Sequence, residues 1–568
     1  MDLISVFSAG LQMVSHYWKE LLILILMAVE MGWVAVIIFT SRNEENPPLG
    51  MFFLGGSWVL LSLLSLLLSI LKIFSFFTIL ILMVGGFLLI LFKGNWRSSL
   101  PGIFSIKILI PVLIWVFFLI LYLGYLEPLW LPPHHDSPFH FLFTRDFLTA
   151  GGQGLRLFPR LWRSYYHLGF HGITAWMASL KGGFHPLDLA LTGQFFLSLV
   201  PVSIYTLITS ITEKKTAGFI SALVVGIGWP MPLGAADWGK YPLILGLALF
   251  PVVIGLILHY REDYKGKKLI ILLLMMAGLV WVHSRFAVIL IIFALAYFLV
   301  YRWKVGPVSV LLLGLFIAGL ILYTPFRIGL AHYSGAYLYP TVGILLFSAF
   351  ALIKYKDITL LWICFIFLFY LSSQVPLPAF FYKYSTWLID PGFINPAFAL
   401  PLAILAGLGF SSWMENKSRL YASVMVFMLV GFLFWNAGEE LSFQPRDATN
   451  FSSLDDLLAM QWIEDQLPPE GIFFISGQRR MGDWEGQDAG IWIAPLKGRK
   501  TEYMASTTEW CTPSVQEKIC SEDRQGMPLY LYQGQMENSF SLPPVDECQG
   551  IDGVISFPGA RIYQFACK

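Results

Sequence analysis

The chain has 568 residues, of which 57% are hydrophobic and 13% charged, and its mean hydropathy is +0.68. Soluble globular domains carry roughly 25% charged residues, so the composition excludes a soluble protein. A net charge of +1 leaves no basic footprint for nucleic acid, and no nucleic-acid partner is expected.

Met1 to Glu20 holds no basic residue before Lys19 and no small-residue cleavage site, so no cleaved signal peptide is expected. A helix needs roughly 17–25 apolar residues to cross a bilayer. About fourteen stretches qualify as spans: Leu21–Thr40, Leu49–Leu71, Ile73–Phe92, Ile108–Tyr125, Leu187–Ile211, Ala217–Gly234, Tyr241–Leu258, Leu269–Val282, Phe286–Val300, Pro307–Leu322, Tyr339–Ile353, Ile358–Leu371, Ala397–Phe410 and Leu420–Trp435. Alternate connections collect the basic residues: Arg42, then Lys93, Arg97 and Lys107, then Lys214 and Lys215, and so on to Lys417 and Arg419. Such residues mark the cytoplasmic side. The long loop 126–186, the Arg327 and Lys383 loops and the tail after Trp435 are then expected outside.

The long loop carries the polar run His134-His135-Asp136-Ser137-Pro138-Phe139-His140. A carboxylate among three imidazoles is costly beside a bilayer and marks a functional site; its plainer role is to cap a helix. Two amphipathic helices lying on the membrane are expected here. One runs from Ser137, with Pro138 in its first turn, to about Thr149. The other runs from about Pro159 to Leu180, and the i,i+4 pair His167 and His171 stacks on one face with Arg163 before it. Such a pair can share a metal ion, although water- or backbone-bonded histidines are commoner. The spacing of His134, His135, Asp136 and His140 fits no strong zinc pattern, so no metal site is assigned. Gly151–Gly154 reads as a turn.

Beyond about Gly438 the apolar runs shrink to strand length: Ile472–Ile475, Ile491–Ala494, Leu529–Tyr532, Val554–Phe557 and Arg561–Phe565. A helix from Ser453 to Gln466 precedes them, capped by Ser452 or Ser453, with Leu454, Leu457, Leu458 and Ile463 as its apolar face. This predicts an exported α/β domain at 438–568. Its four cysteines suggest two disulfides with three pairings open; proximity favours Cys511–Cys520 and Cys548–Cys567. Cys364 lies in a span and reads as packing. Trp484, Glu485 and Trp492 suit a sugar-stacking surface or ordinary fold elements. Asn450-Phe-Ser is an exported glycosylation sequon, relevant only in a eukaryotic host.

The order of parts resembles the GT-C class of integral membrane glycosyltransferases, which includes protein O-mannosyltransferases and aminoarabinose transferases. Asp136-Ser-Pro-Phe-His140 stands where that class carries a catalytic Asp in its first large outward loop. Tyr165-Tyr166-His167-Leu-Gly169-Phe-His171 is similar to a Tyr/Pro-x-Gly-x-His segment of the second loop helix, and Gly239-Lys240-Tyr241-Pro242 to a recurrent Gly-x-Tyr-Pro. Ala459–Ile463 and Trp492–Leu496 followed by Arg499 are also family-like. The chain departs from the class in having three spans ahead of the one that leads into the loop, so 1–104 is set apart from a core at 105–437. No Trp-Trp-Asp signature is present, which argues against asparagine transfer.

The resemblance implies that Asp136 is the general base of an inverting transfer. A sugar would move from a polyprenyl-phosphate donor to a hydroxyl on a glycan, lipid or protein acceptor, and burial would bring the Asp136 pKa near the working pH. Candidates for the donor phosphate are Arg163, Lys240, Arg285, Arg327 and Lys383, with His140, His167 and His171 as hydrogen-bonding partners. No cofactor is required, and a divalent cation is compatible with the scheme. The alternatives are a transporter or flippase of lipid-linked sugars, which calls for mid-span charges, and a non-enzymatic scaffold with an exported binding domain. The Ala566-Cys567-Lys568 end lacks a retrieval signal, so a prokaryotic plasma membrane is expected.

Overall fold

The computed structural model describes residues 3–40, 48–93, 106–149, 167–309, 338–374, 391–415, 417–440, 443–480, 483–520, 526–536, 539–540 and 550–567. The fold is mostly helical. In chain order the helices of the membrane part are α1 (Leu3–His16), α2 (Trp18–Phe39), α3 (Leu49–Ile70), α4 (Phe76–Lys93), α5 (Ile106–Leu123), α6 (Ser137–Thr149), α7 (Gly169–Lys181), α8 (Leu187–Thr212), α9 (Lys215–Ile227), α10 (Tyr241–His259), α11 (Gly266–Val282), α12 (Phe286–Tyr297), α13 (Leu338–Lys354), α14 (Lys356–Gln374), α15 (Pro391–Met414) and α16 (Arg419–Glu440). Among the described residues seven are long and apolar enough to cross a membrane: α2, α3, α4, α5, α8, α10 and α15. The chain is therefore an integral membrane protein. The window Pro307–Leu322 lies mostly outside the described residues.

Polar contacts sort the helix ends into two sets. At one end Lys214 (3.0 Å) and Lys354 both reach Glu415, and Lys267 Nζ donates to the Thr40 carbonyl oxygen at 2.7 Å. At the other end Lys240 pairs with Asp136, Arg446 with Asp237 at 3.3 Å, and Lys181 with Glu20 at 3.5 Å. The connections that collect basic residues in the sequence thus share one end of the bundle, and the His-rich loop shares the other with the tail. Burial separates the helices as well. Only 6% of the apolar window of α4 is buried, against 94% for α10 and α15. α4 therefore keeps its side chains for lipid, while α10 and α15 lie at the centre.

Several local expectations change. Residues 3–16 form α1, which lies against α5 and buries Val6 and Ala9; the segment is too short to register as a span. The sixth window ends at Ile227, because Pro230 and Pro232 follow and stop the helix. The second loop helix is not a surface helix. α7 begins at Gly169, and every residue from Gly169 to Ala178 is buried. It packs on α3, where Gly172 leaves no room for a side chain: a Cβ there would lie 2.5 Å from the Cβ of Ser65. Its near-absence of charge allows it to be surrounded on all sides.

The tail from Ser453 onward begins with α17 (Leu454–Gln466), closed by a capping box in which Ser453 and Asp456 each bond the other's backbone amide. Its buried face is Ala459, Met460 and Ile463, while Leu454 and Leu458 are about half exposed. The helix is turned from the expected face because Tyr532 donates to Asp456 and draws that edge inward. Strands β1 (Ile472–Arg480), β2 (Asp483–Gly486), β3 (Lys500–Ala505), β4 (Leu529–Gln533), β5 (Ile551–Ser556) and β6 (Arg561–Phe565) make one mixed sheet. β1 runs parallel to β3 and β4 and antiparallel to β2. Residues 491–494 are not a strand. Buried Asp488 accepts from the Gly490 amide at 3.0 Å and starts a helical turn there. The expected pairings fail too: Cys520 is bonded to Cys567, and Cys511 is also in a disulfide. Sheet pairing of β4 with β6 brings Phe565 and the chain end after it back beside β4, which proximity in sequence does not reveal.

Candidate functional site

Asp136 is the residue from which α6 starts. Its carbonyl oxygen accepts from the amides of Phe139 (3.1 Å) and His140 (3.2 Å). Its carboxylate, however, bonds Lys240 Nζ rather than the first turn of the helix, so capping does not explain the side chain. Ahead of it, His134 sits in the left-handed region at φ 69°, an uncommon conformation for a non-glycine residue that clusters at functional sites. It is held there by its own amide, which donates to the Thr449 carbonyl oxygen at 2.8 Å. The Asp136 amide donates to His134 Nδ1 at 3.3 Å.

Lys240 reaches Asp136 because Gly239 turns the chain with φ 60° beside Ser137, where a Cβ would come 2.8 Å from the serine Oγ. Ser137 Oγ bonds the Pro133 carbonyl oxygen and lies 3.3 Å from Tyr241 Oη. The Gly-Lys-Tyr-Pro segment and the start of α6 are thus one construction. Around the carboxylate, His135 Nε2 lies 3.4 Å from Asp136 Oδ1 and 3.8 Å from Oε1 of Glu485, which comes from β2. The ligand atoms of His134, His135 and Asp136 all lie within 4.8 Å of one another.

The helical pair His167 and His171 separates. His167 precedes α7 and stacks on His283 with ring centroids 3.9 Å apart, while His171 Nε2 lies 2.9 Å from His140 Nδ1. The two therefore do not share an ion through i,i+4 spacing. Arg285 lies beside His283, 5.7 Å from the ring of Phe393. Arg163, Arg327 and Lys383 lie outside the described residues.

Electrostatics reverse one expectation. Burial alone would raise the Asp136 carboxyl, but Lys240, with the histidines around it, holds it well below the usual carboxylate range. Asp136 is an ion-paired carboxylate rather than a base near neutrality. Burial pushes His140 down to about 4 and His134 to about 3. His167 is also pushed well down, by burial first, then by His283 and Arg285, with His140 and Lys240 adding to it. The two histidine groups therefore feel one another's charges. The site joins one permanent anion and one cation to imidazoles kept neutral.

The tail covers this end. Arg145 of α6 donates to the Pro495 carbonyl oxygen at 2.7 Å, Phe141 meets Trp492 edge to face, and the Leu131 amide donates to Ser452 Oγ at 3.1 Å. Trp492 is fully buried and offers no face to a sugar. Arg499 donates to the carbonyl oxygens of Ile463, in the last turn of α17, and of Leu467 just past its end. Trp484 is partly exposed and stacks on Tyr503. Sequence reasoning left His134, His135, His283 and Glu485 off the list of site residues. The first three carried a signal, as histidines beside Asp136 or at an outer helix end. Glu485 stood out only as part of a tail surface; its place beside His135 carried no signal, because only the docking of the sheet brings it in.

No curated protein matches the chain. A family model matches residues 45–333, a stretch that contains Asp136, His140, His171, Lys240 and His283 and stops short of the tail. The chain belongs to that family, a family of unknown function designated DUF6541.

Proposed function

We propose that the chain is a GT-C-like glycosyltransferase that moves a sugar from a polyprenyl-phosphate donor to a hydroxyl acceptor, inverting the anomeric carbon. About fourteen spans, with the His-rich loop and an α/β tail domain on the outer face of a prokaryotic plasma membrane, complete this reading. One observation carries it: a loop carboxylate, paired with a lysine and neighboured by half-buried and buried histidines, at the bundle end roofed by the tail.

The ion pair suggests how Asp136 gains basicity. Lys240 is drawn to the anionic phosphate when donor binds, and its hold on the carboxylate weakens. Burial, which opposes the Asp136 charge, then raises the proton affinity of the carboxylate. Asp136 accepts the hydroxyl proton as the acceptor oxygen bonds to the anomeric carbon. The bond from that carbon to the phosphate oxygen breaks, and its electron pair leaves on the polyprenyl phosphate. Arg285, at the same end, adds a fork suited to phosphate.

The test is Asp136→Asn in membranes carrying the full chain, assayed with a panel of polyprenyl-phosphate sugars. A loss of about 10²-fold or more in turnover with donor binding kept is expected for a general base. An equally active variant removes Asp136 from that role.

A transporter of lipid-linked sugars is favoured by one feature. Glu30 lies in the middle of α2, and its Oε1 lies 2.5 Å from where a Cβ would stand on Gly86 of α4. Carboxylates within a span often mark an ion pathway. Loss of uptake of lipid-linked sugar in vesicles carrying Glu30→Gln, with uptake kept in vesicles carrying Asp136→Asn, would select this reading.

A further inference from the structure

We propose that His134, His135, Asp136 and Glu485 form a binding site for a divalent transition-metal ion, completed only when the sheet of the tail docks on the loop. The argument is geometric. A tetrahedral ion bound at roughly 2.0–2.2 Å to nitrogen and oxygen holds neighbouring ligand atoms about 3.3–3.6 Å apart. Here His135 Nε2 stands 3.4 Å from Asp136 Oδ1 and 3.8 Å from Glu485 Oε1, and the ligand atoms of His134, His135 and Asp136 lie within 4.8 Å of one another. These spacings are long for hydrogen bonds and close to the edges of a coordination shell.

The groups also present the right atoms. His134 Nδ1 accepts the Asp136 amide at 3.3 Å, so this nitrogen is unprotonated, and an ion would take its lone pair in place of that long hydrogen bond. The carboxylate divides its two oxygens: Lys240 holds Oδ2, and Oδ1 faces His135. Lys240 thus neutralises one side of Asp136 without occupying the oxygen on the His135 side. Glu485 arrives from elsewhere in the fold. It pairs with Gln478 across the β1–β2 hairpin, and strand alternation turns it opposite to Trp484, which stacks on Tyr503.

Two histidines and two carboxylates are a donor set for Zn²⁺, Mn²⁺ or Fe²⁺ rather than for Ca²⁺ or Mg²⁺. The loop supplies three ligands and the tail the fourth, so the ion links the two parts. A fifth position open to the outside would take an oxygen of a phosphate or hydroxyl group. The site does not depend on sugar transfer: a chain that moves no sugar would still bind the ion.

The test uses the purified full chain in detergent, stripped with chelator and titrated with Zn²⁺ and separately with Mn²⁺ by calorimetry, with metal content read by mass spectrometry. One equivalent of at least one ion is expected. Binding weakens at least tenfold in His135→Gln and in Glu485→Gln, and is unchanged in His259→Gln at the far end of the bundle. If His135→Gln does not fold, Glu485→Gln at the sheet rim decides alone. No bound equivalent of either ion in the unsubstituted chain, or unchanged affinity in Glu485→Gln, overturns the proposal whatever the transferase assay shows.

Discussion

The two ends of the helical bundle each hold a lysine paired with a carboxylate, and the pairs behave differently. Lys240 and Asp136 keep 35% and 27% of their side-chain surface, Lys354 and Glu415 keep 38% and 34%. Water touches both pairs to a similar degree. Their surroundings differ: burial works against the Asp136 charge, whereas hydrogen bonds from Lys354 and Lys214 hold Glu415 low with little opposition from burial. Loss of the lysine would leave Asp136 with an unfavourable charge and Glu415 with an ordinary one. The same chemical pair marks a site at one end and a solvated rim at the other.

The largest expected difference is in turnover. Lys240→Ala should cost about 10²-fold or more if the pair tunes a general base, while Lys354→Ala leaves transfer unchanged; equal effects would break the contrast. Next comes stability. Asp237 is buried and accepts from Tyr125 Oη at 2.6 Å, so Asp237→Ala should destabilise by about 1–3 kcal/mol through the orphaned hydroxyl. Glu415→Ala at the rim should leave the melting temperature of the detergent-solubilised protein where it was.

Between pH 6.5 and 4, acid should act chiefly through the buried histidines of the site end. The folded pKa of His140 lies at about 4, below its ordinary value of 6.5, and that of His171 is also lowered by burial. The unfolded chain therefore binds more protons between those limits, and stability falls as pH drops from 6.5 towards 4. Replacing His140 with Asn should flatten that slope; an unaltered slope would place the acid sensitivity elsewhere. The smallest effect concerns salt. Raising ionic strength screens the exposed Lys214–Glu415 contact and should leave the melting temperature unchanged.

Much of the site was legible because charge is rare in this chain. A carboxylate with histidines stands out against apolar helices, and Gly239-Lys240-Tyr241-Pro242 stands out by its resemblance to a recurrent Gly-x-Tyr-Pro. The helix from Ser137 to Thr149 followed from Pro138 and the break after Thr149. His167 and His171 show the limit. Their spacing suggested a shared helical face, but the described helix starts two residues after His167, and each ring joins a partner from another segment. Periodicity cannot report where a helix begins when no strong cap marks it. The amphipathic pattern from about Pro159 to Leu180 likewise suggests a surface helix, whereas α7 is buried because its neighbours enclose a segment of mixed polarity.

By itself the sequence determined the membrane class, the alternation of basic connections and the residue types gathered around Asp136, since each follows from local composition. The tertiary structure alone decided that Lys240 rather than the helix start holds Asp136, that Cys520 meets Cys567, and that Glu485 closes on His135. Those contacts join segments far apart along the chain. Their energy depends on how helices and sheet dock, which no local pattern of residues encodes.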